Sequence, residues 1–170
     1  AIRPEKTQFP INEIFERLRA EFAYSARAKG LQLQILRSGI EVNSDPGLLE
    51  QILRNLLSNA LKYTTKGKVL IGCRRRGKSV LIGVWDTGIG IAESETEAIF
   101  EEYHQVNNPA RERSLGLGLG LSIVKRLGDL LSHRIGVVSK LEHGSVFTIM
   151  IDEVKTRPAG QQVKPPEAVP

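Results

Sequence analysis

A stretch near the middle of the chain carries amide and amino groups that could bind a cation and a phosphate. Asn55, Asn59 and Lys62 are four and three residues apart, so on a helix their side chains lie along one stripe. Carboxamide oxygens can ligate a hard cation, and an ammonium group can bind phosphate. A plain solvated helix surface is the alternative interpretation of the same three residues.

A second candidate site follows an apolar, β-branched segment and has the sequence DTGIGI, residues 86–91. Asp86, at the end of a strand, could accept hydrogen bonds from an exocyclic amine. The two spaced glycines, Gly88 and Gly90, let the backbone approach a flat ligand closely. A tight turn with a solvated Asp86 is the alternative.

The third candidate is the glycine-rich sequence GLGLGLS, residues 116–122, which follows a polar loop and opens a helix. Free amides and the positive end of the helix dipole make such a place suitable for an anion. It is not a dinucleotide fingerprint, because no strand leads into it and the glycine spacing differs. It is not a P-loop either, because no Gly-Lys pair follows it. A glycine-rich hinge is the alternative interpretation.

Apolar residues at helical spacing predict the elements that position these groups. The central helix begins at Asp45, whose carboxylate can cap free amides, and at Pro46, which suits the first turn. It ends near Tyr63 and presents a broad apolar face. The same spacing predicts two further long helices over residues 11–29 and 120–131, and a short helix over residues 92–103.

Alternating and β-branched apolar residues predict strands over 31–35, 40–42, 135–139 and 145–151, and a hairpin of 68–75 with 79–85. We therefore expect an α/β (α+β) two-layer sandwich, in which a mixed, mostly antiparallel sheet of about five strands packs on three main helices. Beyond residue 152, prolines and polar residues without periodicity predict a tail or linker.

Composition excludes several classes of protein. A chain of 170 residues with 41% hydrophobic residues suits one globular domain. The net charge of +5 is only mildly basic, and no aromatic-rich basic stripe indicates nucleic-acid binding. Cys73, the single cysteine, excludes an internal disulfide and fits a reducing, cytoplasmic compartment. No apolar run approaches membrane-spanning length, so we expect no membrane contact from this domain, although a longer parent protein could be membrane-anchored.

The combination of motifs is more specific than its parts. In order, the chain contains NLLSNALKYT, DTGIGI, IFEEYHQV, GLGLGLSIVKRL and HGSVFTIMI. This resembles the ATP-binding catalytic domain of two-component sensor histidine kinases, with the Bergerat-type fold shared by gyrase, heat-shock chaperone and mismatch-repair ATPases. The resemblance implies a linker over residues 1–8, a catalytic domain over 9–151 and a tail over 152–170.

The resemblance also implies roles for individual residues. Asn59 would coordinate the Mg²⁺ that bridges the phosphates of ATP, and Asn55 would support it directly or through water. Lys62 would contact phosphate and Tyr63 would lie against the nucleotide. Asp86 would accept a hydrogen bond from the adenine amino group.

Further residues are assigned to the nucleotide site by the same resemblance. Residues 107–115 would form a lid whose Arg113, or Arg111, reaches the γ-phosphate, and Thr148 would line the adenine pocket. The remaining positions are Gly88, Gly90, Ile91, Gly116, Leu117, Gly118, Leu119, Gly120 and Leu121.

The histidine that accepts phosphate in such kinases has no match in this sequence. That histidine lies on a separate dimerisation helix, whereas His104, His133 and His143 fall in other contexts and are expected to have surface or packing roles. The resemblance therefore implies that the partners are ATP, dimerisation and phosphotransfer helices outside this chain, a response regulator and a homodimeric parent protein. The alternatives are an ATPase of the same superfamily that drives a conformational change, and a non-catalytic nucleotide-binding adaptor.

Overall fold

Two sheets and three α-helices form the part of the chain that the computed structural model describes, residues 1–101 and 120–152. The helices are α1 (Ile11–Ala28), α2 (Pro46–Tyr63) and α3 (Gly120–Leu131). The strands are β1 (Thr7–Pro10), β2 (Gln32–Ile35), β3 (Glu41–Ser44), β4 (Lys68–Arg76), β5 (Ser79–Asp86), β6 (Arg134–Lys140) and β7 (Gly144–Asp152). No helix within these residues is long and apolar enough to cross a membrane.

The larger sheet has five strands in the order β2-β4-β5-β7-β6. Only the β2–β4 pair is parallel, and the other three pairs are antiparallel. The predicted two-layer sandwich with a mixed, mostly antiparallel sheet is therefore confirmed. The core lies between this sheet and the helices, because alternate residues of β5 and β7 face α2 and α3.

Helix α2 forms where the sequence predicts it, and its two ends show why. The Asp45 carboxylate accepts a hydrogen bond from the Leu48 amide at 3.1 Å, and Pro46 occupies the first turn. At the other end, the Lys29 ammonium donates a hydrogen bond to the Leu61 carbonyl oxygen, which complements the negative end of the helix dipole. The buried face consists of Leu49, Ile52, Leu53, Leu56, Leu57, Ala60 and Leu61. This packing fixes which residues of α2 face outwards.

A small second sheet, which the sequence analysis did not predict, pairs β1 with β3. The register places Thr7 opposite Ser44 and Pro10 opposite Glu41. The strand predicted over residues 40–42 therefore belongs to this sheet and not to the larger one. Strand β1 also reaches two residues into the segment predicted as a linker. Its signal is weak because it has four residues, one of them buried, so it shows no alternation.

The short helix predicted over residues 92–103 is wrong within the described residues. The chain instead forms two 3₁₀ turns, Glu93–Glu95 and Ala98–Phe100, and residues 102–103 lie outside the described part. Ile99 nevertheless belongs to the core, with 3% of its surface exposed. The Phe100 ring meets Phe147 edge to face, with centroids 6.2 Å apart.

The face of the sheet that points away from the helices carries Trp85. A Cβ at Gly83 would lie 2.3 Å from Trp85 Cη2, and a Cβ at Gly72 would lie 3.6 Å from Trp85 Cζ3. The indole therefore lies flat across the two glycines, which face each other in the β4–β5 register. Trp85 remains 36% exposed.

Candidate functional site

A cleft opens between the helices and the sheet, where β5 ends and β7 begins. It encloses about 580 Å³, its open mouth included, which is within the range of small-molecule sites. Six of its lining residues are candidates from the sequence: Asn59, Tyr63, Asp86, Gly90, Ile91 and Leu121. The structure therefore brings α2, the turn after β5 and the first turn of α3 to one cleft.

Five further lining residues were not predicted as site residues from the sequence: Ala60, Ile89, Ile99, Ser145 and Phe147. Ala60 lies on the buried face of α2, and Ile99 lies in the second 3₁₀ turn. Phe147 and Ile99 supply an apolar wall, and Ser145 supplies a hydroxyl beside Asp86. The cleft therefore combines a mainly apolar lining with a few polar groups at one end, as small-molecule sites do.

Thr148 is not at this cleft, and the prediction for it is corrected by the strand alternation. Phe147 and Ile149 are buried towards the helices, so Thr148 between them points to the other face of the sheet. There it is in register with Gly83 and Gly136. Ser145 lies two residues before Phe147 on β7, so its side chain points to the same face of the sheet as Phe147 and lines the cleft. An alternation count from the buried Phe147 could have found it, because a shift of one residue reverses the face.

Asp86 is the acidic group of the cleft. Its Oδ1 accepts a hydrogen bond from the Gly88 amide at 2.9 Å, and the Ser145 amide also donates to the carboxyl group. Burial raises the pKa of Asp86, and these two amide hydrogen bonds oppose that shift. Asp86 thus presents hydrogen-bond acceptors in a partly desolvated place, where a complementary donor has the largest effect.

Gly88 and Gly90 are required by the backbone of the protein itself. A Cβ at Gly88 would lie 2.5 Å from the Tyr63 carbonyl oxygen. Gly90 has a φ of +69°, and a Cβ there would lie 2.0 Å from the Lys140 carbonyl oxygen. The expected reason for these glycines was close approach of a ligand, whereas the structure shows close approach of α2 and of the β6–β7 turn.

The β6–β7 turn holds the segment after β5 in place. The Glu142 amide donates to the Ile89 carbonyl oxygen at 2.6 Å, and the Ile91 amide donates to Ser139 Oγ at 2.7 Å. Gly144 has a φ of +92°, and a Cβ there would lie 2.0 Å from the Asp86 carbonyl oxygen. Two elements distant in sequence thus form one continuous, hydrogen-bonded wall of the cleft.

The amide pair of α2 meets the start of α3. A Cβ at Gly120 would lie 3.8 Å from Asn55 Oδ1 and 3.8 Å from both Asn59 Oδ1 and Asn59 Nδ2. The first turn of a helix offers free amides and a positive dipole end, which attract anions. No group of three or more His, Cys, Asp or Glu residues in the described part could hold a metal ion. A hard cation here would take carboxamide oxygens from α2 and oxygens from a bound anion.

The remaining residues predicted for the site do not line the cleft or lie outside the described part of the chain. Lys62 is exposed and does not line the cleft, and Asn55 faces Gly120 without lining it. The predicted lid with Arg113, together with Gly116, Leu117, Gly118 and Leu119, lies outside the described residues.

Thr64 has a buried hydroxyl next to the acidic end of the cleft. The residue is 0% exposed, and its Oγ1 has no hydrogen-bond partner among the described residues. A Cβ at Gly88 would lie 3.0 Å from this oxygen and 2.9 Å from Asp86 Oδ1. Among the described residues the hydroxyl is therefore an unsatisfied polar group beside Asp86, and such a group lowers the free energy of unfolding.

Comparison with known proteins agrees with this fold. The sequence profile of the family described as histidine kinase-, DNA gyrase B-, and HSP90-like ATPase matches residues 44–155. The chain belongs to this ATPase family. The match begins at the end of β3 and includes α2, the turn after β5, α3 and the closing strands, which carry the residues of the cleft.

Its relatives are sensor histidine kinases. The chain is 40% identical to the circadian input-output histidine kinase CikA of Synechococcus elongatus over 133 residues, which are 75% of this chain and 18% of CikA. It superposes on full-length ShkA, solved in complex with AMPPNP, with a TM-score of 0.77 and 29% identity, covering 89% of this chain and 32% of that one.

The catalytic domain of the histidine kinase ThkA superposes with a TM-score of 0.74 and 27% identity, covering 87% of this chain and 95% of that domain. The chain therefore has the fold of a histidine kinase catalytic domain, and the branch of the family indicated by its motifs is confirmed. It spans less than two thirds of CikA and of ShkA.

Proposed function

We propose that this chain binds Mg-ATP and donates its γ-phosphate to a histidine on a separate dimerisation domain, as part of a two-component sensor kinase. One observation supports the proposal: a single cleft joins an acidic end to the end where α2 meets the start of α3. At the first end stand Asp86 and Ser145, and at the second Asn59 faces Gly120.

The base would enter at the end of β5. Asp86 accepts a hydrogen bond from the adenine amino group, and Phe147 and Ile99 pack against the ring. Tyr63 lines the same space and lies against the nucleotide. The pre-formed turn over residues 86–91 keeps the acceptor in place before the ligand arrives, which limits the ordering cost of binding.

The phosphates would lie between α2 and the start of α3. Asn59 would hold Mg²⁺ through its carboxamide oxygen, and Asn55 would support the ion directly or through water. When bound, the ion neutralises charge on the phosphate oxygens, which is the main requirement of phosphoryl transfer. Lys62 is exposed at the C-terminal end of α2, where its flexible side chain can reach a phosphate. Gly120 and Leu121 contribute the first turn of α3.

The lid assignments rest on the resemblance alone. Arg113 would contact the γ-phosphate, and Gly116, Leu117, Gly118 and Leu119 would face the phosphates. The catalytic domain would cover residues 9–151 together with Thr7 and Gln8, because β1 begins at Thr7. The linker from an upstream dimerisation region would then end at residue 6, and residues 152–170 would form a tail.

The proposed partners follow from the phosphate-accepting histidine, which has no match in this sequence. A histidine acceptor must come from dimerisation and phosphotransfer helices elsewhere in a homodimeric, cytoplasmically exposed parent protein. ThkA has been solved in complex with the response regulator protein TrrA, which supports a response regulator as the final acceptor here.

The test supplies the purified chain with γ-labelled ATP, Mg²⁺ and a histidine kinase dimerisation domain. We expect acid-labile phosphate on the supplied histidine and none on His104, His133 or His143. Asn59→Ala should abolish the transfer. Steady hydrolysis of ATP without transfer to any supplied acceptor would favour a motor-like ATPase of the family. Binding without turnover would favour an adaptor.

A further inference from the structure

Three polar residues form a row across neighbouring strands on the cleft side of the sheet. Asp86 of β5 is in register with Ser145 of β7, and Ser145 is in register with Ser139 of β6. Residues paired across strands place their side chains on the same face. Ser145 is 8% exposed and lines the cleft, whereas Ser139 lies one strand further from it.

Ser139 Oγ has three polar neighbours within hydrogen-bond distance among the described residues. The Ile91 amide lies at 2.7 Å, the Gly144 carbonyl oxygen at 3.0 Å and Ser145 Oγ at 2.7 Å. A hydroxyl has one proton to donate and two lone pairs that accept. Three partners therefore use all of its capacity.

The roles of the three partners follow from their chemistry. The Ile91 amide can only donate, so it occupies one lone pair of Ser139. The Gly144 carbonyl can only accept, so it takes the single proton of Ser139. The remaining partner, Ser145 Oγ, must donate its own proton to the second lone pair. This is the one assignment that satisfies all three contacts.

We propose that Ser139 is a positioning residue that fixes the Ser145 hydroxyl as a hydrogen-bond acceptor, so that this end of the cleft selects an amino group over a carbonyl group on the base. The proposal rests on the proposed binding of adenine nucleotides. Because its proton points to Ser139, Ser145 offers only lone pairs to the cleft.

The neighbouring group has the same polarity. Asp86 is an acceptor when ionised, so both polar side chains of this wall accept hydrogen bonds. An exocyclic amine, or a water molecule that donates to Ser145, supplies the hydrogen-bond donors that these two acceptors need. A 6-oxo purine places a carbonyl oxygen there, and the lone pairs then face each other without a proton between them.

Ser139→Ala removes the acceptor that holds the Ser145 proton. The proton can then rotate into the cleft and donate to a carbonyl oxygen, so discrimination should relax. The variant also removes the partner of the Ile91 amide, which can weaken all binding equally. The ratio of the affinities for a 6-amino and a 6-oxo purine nucleotide separates these effects. A loosened wall lowers both affinities, whereas a reversed Ser145 hydroxyl lowers only the affinity for the 6-amino nucleotide.

The experiment measures dissociation constants of ADP and inosine diphosphate, which differ in the amino or oxo group at position 6. Titration calorimetry on the purified chain should show a clear preference for ADP. In Ser139→Ala the preference should fall roughly tenfold, as expected for one altered hydrogen bond. Ser139→Thr keeps a hydroxyl and should keep the preference. The matched control is Ser79→Ala, which removes a serine hydrogen bond to Asp152 at the far end of β5 and should leave the ratio unchanged.

A double variant tests whether Ser139 acts through Ser145. Once Ser145→Ala has removed the hydroxyl, adding Ser139→Ala should not change the ratio further. If Ser139→Ala does not fold, Ser139→Cys keeps the shape with a much weaker hydrogen-bonding group, and the same loss of preference is expected.

Two results would overturn the inference: equal affinity of the unaltered chain for ADP and inosine diphosphate, or an unchanged ratio in folded Ser139→Ala and Ser139→Cys. Failure of the unaltered chain to bind ADP at all would instead refute the proposed function. The two failures are therefore distinguishable.

Discussion

Ser44 Oγ and His133 Nε2 lie 2.7 Å apart in the interior and join the small sheet to the turn that follows α3. Ser44 is 0% exposed and His133 is 5% exposed. Burial lowers the pKa of His133 to about 4, and the nearby charge of Lys6 acts in the same direction. Backbone hydrogen bonding at Ser132 and the charge of Asp152 oppose this shift. The folded protein therefore holds this imidazole neutral.

The first prediction concerns stability against pH. The unfolded chain protonates His133 near its ordinary pKa of about 6.5, whereas the folded chain resists protonation until about pH 4. The contribution of His133 is therefore complete above pH 6.5 and is lost as the pH falls to 4, with a slope approaching about 1.4 kcal/mol per pH unit.

Urea unfolding at several pH values measures this slope. His133→Gln should flatten it in that window, whereas His143→Gln, at an exposed histidine, should not. Equal slopes for both variants would contradict the prediction.

The second prediction compares the stability cost of replacing two glycines that have similar backbone conformations. Gly90 and Gly77 have φ values of +69° and +60°, but a Cβ at Gly77 would have no atom of the described residues within 4 Å. Gly77→Ala should cost about 1–2 kcal/mol of unfolding free energy, from the left-handed backbone alone. Gly90→Ala should cost clearly more, because its Cβ would collide with Lys140. Similar melting temperatures for the two variants would show that the β6–β7 turn can move away.

The third prediction concerns the unsatisfied hydroxyl of Thr64. Thr64→Val removes a buried hydroxyl that has no hydrogen-bond partner in residues 1–101 and 120–152. The free energy of unfolding should therefore be unchanged or up to about 1 kcal/mol higher. The matched control is Thr87→Val, because Thr87 Oγ1 accepts from the Lys68 amide at 2.9 Å. That variant should lose about 0.5–1.5 kcal/mol. A loss at Thr64 as large as at Thr87 would show that Thr64 has a hydrogen-bond partner in solution.

The fourth prediction tests base recognition. Asp86→Asn replaces an acceptor by a group that both donates and accepts, at a cost of roughly 1–3 kcal/mol, which is about tenfold to a hundredfold in affinity. Adenosine, ADP and ATP should lose affinity alike, because all carry the same base. Calorimetry measures all three. Unchanged affinities would place the base elsewhere.

The fifth prediction tests the phosphate end. Asn59→Ala removes a proposed cation ligand, so ATP should lose most affinity when Mg²⁺ is present. Adenosine should bind nearly as well as before. The two ligands are compared by calorimetry with and without Mg²⁺. A loss of adenosine binding as large as the loss of Mg-ATP binding would mean that Asn59 mainly shapes the cleft and does not hold the cation.

Local sequence signals account for the parts of the fold and site that could be predicted. Helix α2 has a capping aspartate, a first-turn proline and a long apolar face, so its bounds and its outward stripe of Asn55 and Asn59 follow from the sequence. Asp86 was found because a strand, an acid and two glycines are adjacent in the chain.

The parts that could not be predicted depend on contacts between distant segments. Strand β1 is recognisable only through its pairing with β3. Ser145 was missed in favour of Thr148 because the choice depends on the phase of an alternation, which the buried Phe147 sets. Ser139 has no signal in the sequence alone, since its partners come from two other segments.

The flat position of Trp85 has a spectroscopic consequence. It is the single tryptophan of the chain, and its indole lies across Gly83 and Gly72 on the face of the sheet opposite the cleft. Indole fluorescence should therefore change when the sheet comes apart and stay nearly constant when the cleft fills. The native chain thus carries an optical reporter of unfolding that is insensitive to ligand, and fluorescent nucleotide analogues can report occupancy in the same cuvette.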